Sequence, residues 1–114
     1  MNDAVDKILL LPRYTSFAGA GTFLTAPMNV RAYGQAIVTF YETAALGTSW
    51  PAVAVYIDDS PDLEIWNEPD AGLGINTPTT VEFRMEWIRM RVVVGSGDPG
   101  VTCWCVGDFV RRHG

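Results

Sequence analysis

The densest group of side chains able to do chemistry lies in YIDDSPDLEIWNEPD, residues 56 to 70, which carries six of the chain's thirteen acidic residues. Asp58, Asp59 and Asp62, with the carbonyls beside them, are hard oxygen donors of the kind that Ca2+ takes. A helix–loop–helix calcium loop needs the register D-x-[DN]-x-[DN]-G closed by a Glu, whereas this stretch has Pro61 and no Gly. Calcium would therefore find at most a weak or structural site here. Paired carboxylates also serve glycoside hydrolysis, but no second element in the sequence orients such a pair. The competing reading ends a strand at YIDD and turns at Ser60-Pro61-Asp62, where Ser and Asp side chains bond nearby amides. The chain then returns through LEIW, with Trp66 covering the fold. That solvated turn is the reading adopted, and neither metal nor cofactor is expected.

In VTCWC, Cys103 and Cys105 share one face of a strand and Trp104 takes the other. Two thiols fall short of the four ligands of a structural zinc site, and the single histidine is the penultimate residue, His113. Both cysteines are read as small buried groups facing the core. No Ser or Cys has a His in a nucleophile pattern. GAGTF, residues 19 to 23, lacks the Lys and the following helix of a phosphate loop. No catalytic residue is expected. Trp50 and Trp104 are the tryptophans expected at the surface, where they would stack on sugar rings if the chain were a carbohydrate-binding module.

The elements that must position these groups belong to one domain of 114 residues. Apolar residues make up 48% of the chain and charged residues 18%, too few charges to cover a free surface, which points to an interface. The net charge of −5 argues against a nucleic-acid partner. No apolar run approaches the roughly 20 residues of a membrane span, so no membrane partner is expected. MNDAVDKILLLPRY has acidic residues where a secretion signal is basic, and a cytosolic protein or one packed into a particle assembled there is expected. Seven of the eight cationic residues are Arg, a side chain suited to pairing with carboxylates across interfaces, although a GC-rich coding sequence gives the same bias.

Period-two alternation predicts an all-β fold, a single antiparallel β-sandwich of jelly-roll type with about eight short strands. TVEFRMEW sets Val81, Phe83, Met85 and Trp87 on one face, and IRMRVVV sets Ile88, Met90, Val92 and Val94 on one face. The parity flips between Trp87 and Ile88, so a bulge or a change of sheet is expected there. GSGDPG reads as the turn of a C-terminal hairpin between IRMRVVV and VTCWCVGDFVRR. QAIVTFYETA and AVAVYID, apolar on both faces for part of their length, read as central strands covered on each side. Short strands are expected near Phe23 to Ala26, Met28 to Ala32 and Leu63 to Trp66. Residues 1 to 22 form either an apolar arm that docks on a neighbour or a first edge strand, and residues 23 to 114 form the sandwich.

The order of VAVYIDDSPDLEIWNE, with Ser-x-Asp-x-x-x-Trp at Ser60, Asp62 and Trp66, then WIRMRVVVG and DPGVTCWCVGDFV, resembles small β-sandwich accessory proteins of tailed phages. The resemblance spans about residues 28 to 112. It implies a non-enzymatic virion protein, assembled in the host cytoplasm, of capsid decoration or cement type or a head or tail attachment. Its implied partners are the major capsid or other virion proteins and copies of itself. Attachment is expected through the arm (Leu9, Leu10, Leu11, Arg13, Tyr14 and Phe17) and a sandwich edge. Arg84, Arg89, Arg91, Arg111 and Arg112 are expected to pair with carboxylates on neighbours. A carbohydrate-binding module and a connector or tail subunit closing into a ring are the alternatives.

Overall fold

A computed structural model describes residues 4–47, 52–97 and 99–112. Among these residues eight strands form in chain order: β1 (Val5–Ala18), β2 (Gly21–Leu24), β3 (Met28–Asn29), β4 (Tyr33–Ala45), β5 (Val53–Ser60), β6 (Thr79–Glu82), β7 (Trp87–Val94) and β8 (Gly100–Arg111). They make two antiparallel sheets. Sheet A runs β1-β8-β4-β6; in sheet B, β7 lies between β5 on one side and β2 followed by β3 on the other.

The pairs are nested. β1 takes β8, the β2–β3 pair takes β7, and β4 takes β6. Innermost, β5 takes the segment after it, through an Asp59–Asn67 bridge and the Leu73 N–H bonded to the Val55 carbonyl. This nesting is the jelly-roll wrap, a long hairpin folded over on itself into two sheets. β2 and β3 act as one strand interrupted before Pro27. Thr25 still exchanges bonds with Met90 there, its N–H to the carbonyl and its Oγ1 accepting the Met90 N–H.

Between the sheets lie Ala36, Val38 and Phe40 of β4, Val55 of β5, Ile88, Met90, Val92 and Val94 of β7, and Cys103, Cys105 and Phe109 of β8. As the alternation requires, both cysteines face this core. Burial pushes their thiols up, Cys103 to about 11 with Glu42 adding to the effect, and Cys105 to about 12. Gly100 opens β8 with φ at +122°, and a Cβ there would collide with the Phe17 carbonyl, so only glycine fits.

Several sequence expectations are corrected. β7 and β8 are not a hairpin: they lie in different sheets, β7 in sheet B and β8 in sheet A. The alternation of TVEFRMEW is not one strand either. β6 stops at Glu82, residues 83 to 86 cross from sheet A to sheet B, and β7 begins at Trp87. The parity flip at Trp87 and Ile88 does mark a change of sheet, as expected. β5 is paired along its length on one side only. Leu63 to Trp66 is a series of bends rather than a strand. Of the two readings of the N-terminal segment, the edge strand is the one seen: residues 5 to 18 pair with β8 along 14 residues, with register shifts between Leu9 and Leu11 and between Leu11 and Thr15.

Candidate functional site

The acidic segment resolves into a structural device on the outer face of sheet B. Alternation along β5 turns Asp58 away from the core, opposite Arg89 of β7, with Tyr56 opposite Arg91. Asp58 is nonetheless fully buried. Arg89 Nε donates to its Oδ2 at 3.0 Å, and Arg91 Nε donates to Oδ1 at 3.1 Å and Oδ2 at 3.2 Å. Glu68 adds the second negative charge, its Oε2 3.0 Å from Arg89 Nη2. Arg91 Nη2 also donates to the Pro69 carbonyl at 3.2 Å. The quartet is charge-balanced. Trp66 lies over Arg89, 4.3 Å from guanidinium carbon to ring centre, and Tyr56 over Arg91 at 4.1 Å. The segment from Ser60 to Pro69 thus covers sheet B from outside.

The turn that starts this segment behaves as the sequence indicated. Ser60 Oγ accepts the Asp62 and Leu63 N–H groups, and Asp62 Oδ1 accepts those of Glu64 and Ile65. The Ile65 and Glu64 amides hold the Asp62 carboxyl below its ordinary range. Asp59 accepts from Asn67 at 2.9 Å. The three calcium candidates therefore diverge: Asp58 to the arginines, Asp59 to Asn67, Asp62 to the turn. Among the described residues no three His, Cys, Asp or Glu side chains gather as metal ligands.

Sheet A differs on its outer face. Residues directly opposite in a ladder share a face, so the register reads as rows across the sheet. The rows are Val5–Val110–Gln35–Glu82, Lys7–Asp108–Ile37–Thr80 and Leu9–Val106–Thr39, followed by Trp104–Tyr41 beside the bulge in β1. Thr39 is buried among its neighbours, while the apolar members nearer the borders stay open. Leu9 is 51% exposed, Ile37 42% and Val5 55%. At the bulge, Pro12, Arg13 and Tyr14 stand opposite Trp104 alone, and Thr15 Oγ1 donates to the Pro12 carbonyl at 2.6 Å. Tyr14 takes φ of 68° and is 85% exposed. A left-handed non-glycine residue costs on the order of 1–3 kcal/mol and tends to mark functional positions.

Trp104 does not present a free ring for a sugar. Arg13 from β1 lies 4.4 Å from its centre, and Tyr41 from β4 stacks on it at 4.5 Å, the two coming from strands on opposite sides of β8. Trp50 and His113 fall outside the described residues.

Of the interface candidates, Leu9, Arg13 and Tyr14 belong to this uncovered face or its bulge. Leu10 and Phe17 pack against the core, and Leu11 is buried in it. Arg89 and Arg91, expected to meet carboxylates on neighbours, are satisfied within the chain. Arg111 Nε donates to Asp6 at 2.9 Å, and Arg112 Nη2 to the Phe83 carbonyl at 3.1 Å. Arg84 is exposed at a cleft of about 880 Å3 between β6 and the segment 67–73, floored by Ile57, Val81 and Phe83 and rimmed by Asp59 and Glu82.

Sequence reasoning missed Ile37, which is exposed, and Tyr41 and Val106, which are partly so, on the outer face of sheet A. The signal was present: QAIVTFYETA is apolar on both parities, and only one parity finds its cover within the chain. Comparison with protein-family models, with curated proteins and with solved structures gave no match.

Proposed function

We propose that this chain is a non-enzymatic assembly subunit, of the decoration or cement kind carried by virion-type particles, and that it assembles through the outer face of sheet A. The observation that carries this reading is the contrast between its two outer faces. Sheet B is closed by the chain's own segment and a balanced ionic quartet. Sheet A leaves rows of Val, Leu, Ile and an aromatic stack uncovered. Apolar patches of this kind mark interaction sites, and Trp, Tyr and Arg are the side chains enriched at energetic centres of interfaces. The jelly-roll wrap and the sequence resemblance to phage accessory proteins support the particle setting, a fold-level analogy.

Attachment through the edges of sheet A is disfavoured. β1 carries two irregularities, Pro12 and Lys7, and β6 has only four residues behind Pro78. These are the devices by which sheets avoid edge-to-edge pairing. Attachment through a free N-terminal arm gives way to attachment through a face of which β1 is one border.

The test is to fractionate a native lysate by size and locate the chain by mass spectrometry. Recovery in a very large particle at fixed ratio to a more abundant coat protein is the expected result, and Leu9→Glu should release it. Recovery of the wild type only as a small free species refutes the particle setting. Recovery in a discrete closed oligomer points to the ring-forming alternative.

A further inference from the structure

We infer that the surface covering the outer face of sheet A is, in the first instance, the same face of a second copy, so that the assembling unit is a two-fold dimer of sheets packed face to face. This inference rests on the assembly reading above and adds the identity of the partner.

Two features of the face favour a copy of itself. Charge is the first. The outward-facing side chains of the rows and the adjoining bulge include two cations, Lys7 and Arg13, and two carboxylates, Asp108 and Glu82, which sum to zero. The whole chain carries −5. Two identical faces meeting on a two-fold axis must tolerate each other's charge, and a balanced face in an acidic protein is the one that does. Lys7 and Asp108 are already 3.9 Å apart in one row, so neither enters the contact unpaired.

Size is the second. β1, β4 and β8 run 14, 13 and 12 residues. At about 3.3 Å per residue and about 4.8 Å between strands, they span about 40 Å by about 15 Å. Two such faces bury on the order of 1,200 Å2 in total, the lower end of the range for specific interfaces. The protruding Tyr14 bulge at one border would extend the contact onto the second copy.

Sedimentation velocity of the purified full chain, from micromolar to hundreds of micromolar, tests the inference. The wild type should sediment as a dimer. Leu9→Glu and Ile37→Glu, both at exposed positions, should each weaken association by about a hundredfold, because the symmetry brings the unpaired charge into the interface twice. Their melting temperatures should stay close to that of the wild type, and Lys7→Glu, which unbalances the face without removing an apolar side chain, should also weaken association. A wild type monomeric throughout overturns the inference, as does a dimer that all three variants leave unchanged. A monomeric wild type that still joins a large particle, and loses it on Leu9→Glu, overturns the dimer but leaves the assembly reading. A face-dependent dimer never found in a particle does the reverse.

Discussion

The Nε of Arg89 stands 3.0 Å from Oδ2 of Asp58, a carboxylate with no exposure to solvent on the outside of a sheet. Asp58 is shielded because the following segment folds back over it and contributes Glu68 and Trp66. Removing one partner of a buried ionic group leaves the others uncompensated, and such losses cost about 3–5 kcal/mol. Asp58→Ala should therefore destabilise the fold by about that much in urea unfolding. It should also expose bonds near Leu63 and Ile65 to limited proteolysis. Cleavage unchanged from wild type would show that the segment does not depend on the quartet.

Three successive leucines in β1 meet three environments. Leu9 is half exposed, Leu10 lies against the core and Leu11 is buried within it. Leu11→Ala should cost about 2–5 kcal/mol, whereas Leu9→Ala should stay within about 0.5 kcal/mol in the isolated monomer. Equal small effects at both positions would return β1 to the status of a detachable arm. Deletion of residues 1 to 13 should remove much of the ladder to β8 and abolish cooperative unfolding.

The cysteines give a pH signature. Their thiols are raised by burial to about 11 and about 12, against an ordinary 9.0. The folded chain holds these protons after the unfolded chain has begun to lose them. Their contribution is fully present below pH 9 and falls as pH rises toward 11 and 12. Alkaline unfolding should start earlier in the wild type than in Cys103→Ala/Cys105→Ala, measured relative to each protein's stability at pH 7. Native protein at pH 8 should resist iodoacetamide at both sites, read by mass spectrometry, and react once unfolded.

Asp6 joins the two ends of the fold, accepting from the Tyr33 hydroxyl at 2.7 Å and from Arg111 Nε at 2.9 Å. The Tyr33 bond first, and then Arg111, hold its carboxyl below the usual range. A lowered folded pKa means that the contribution is present above the unfolded value and is lost as pH falls through the folded one. Asp6→Asn should flatten the acid limb of the stability curve and, because the Asp6 bond also raises the Tyr33 phenol, should lessen the loss of stability on the alkaline limb as well. An unchanged acid limb in the variant would remove Asp6 from the account.

How much of this was legible in the sequence depended on the range of each interaction. The cysteine parity, the turn at Ser60 to Leu63 and the change of sheet near Trp87 are properties of a few consecutive residues, and each could be read. The partner of a strand is not local. GSGDPG has the same turn chemistry whether the strands it joins pair or cross between sheets, and here they cross. Arg89 and Arg91 read as charges for carboxylates on neighbours because Asp58, their partner, lies 31 and 33 residues upstream and becomes adjacent only through the β5–β7 ladder. The uncovered face was half legible: the double-sided apolar pattern of β4 was plain, but the missing cover on one side was not.

The nested pairing also sets an order of events. Arg111 and Asp6 meet across 105 residues of chain, and every rung of the β1–β8 ladder closes a loop of similar scale. Loops that long form late, and folds built from them are slow. During synthesis, β1 with its leucine run must remain unpaired until β8 has been made, while β4, β5 and the shorter-range pairs around them can close earlier. The strand that borders the proposed docking face is thus also the segment exposed longest to wrong partners. Pro12 and the bulge beside it, which keep β1 from pairing at its edge in the finished fold, would also limit its aggregation before β8 arrives.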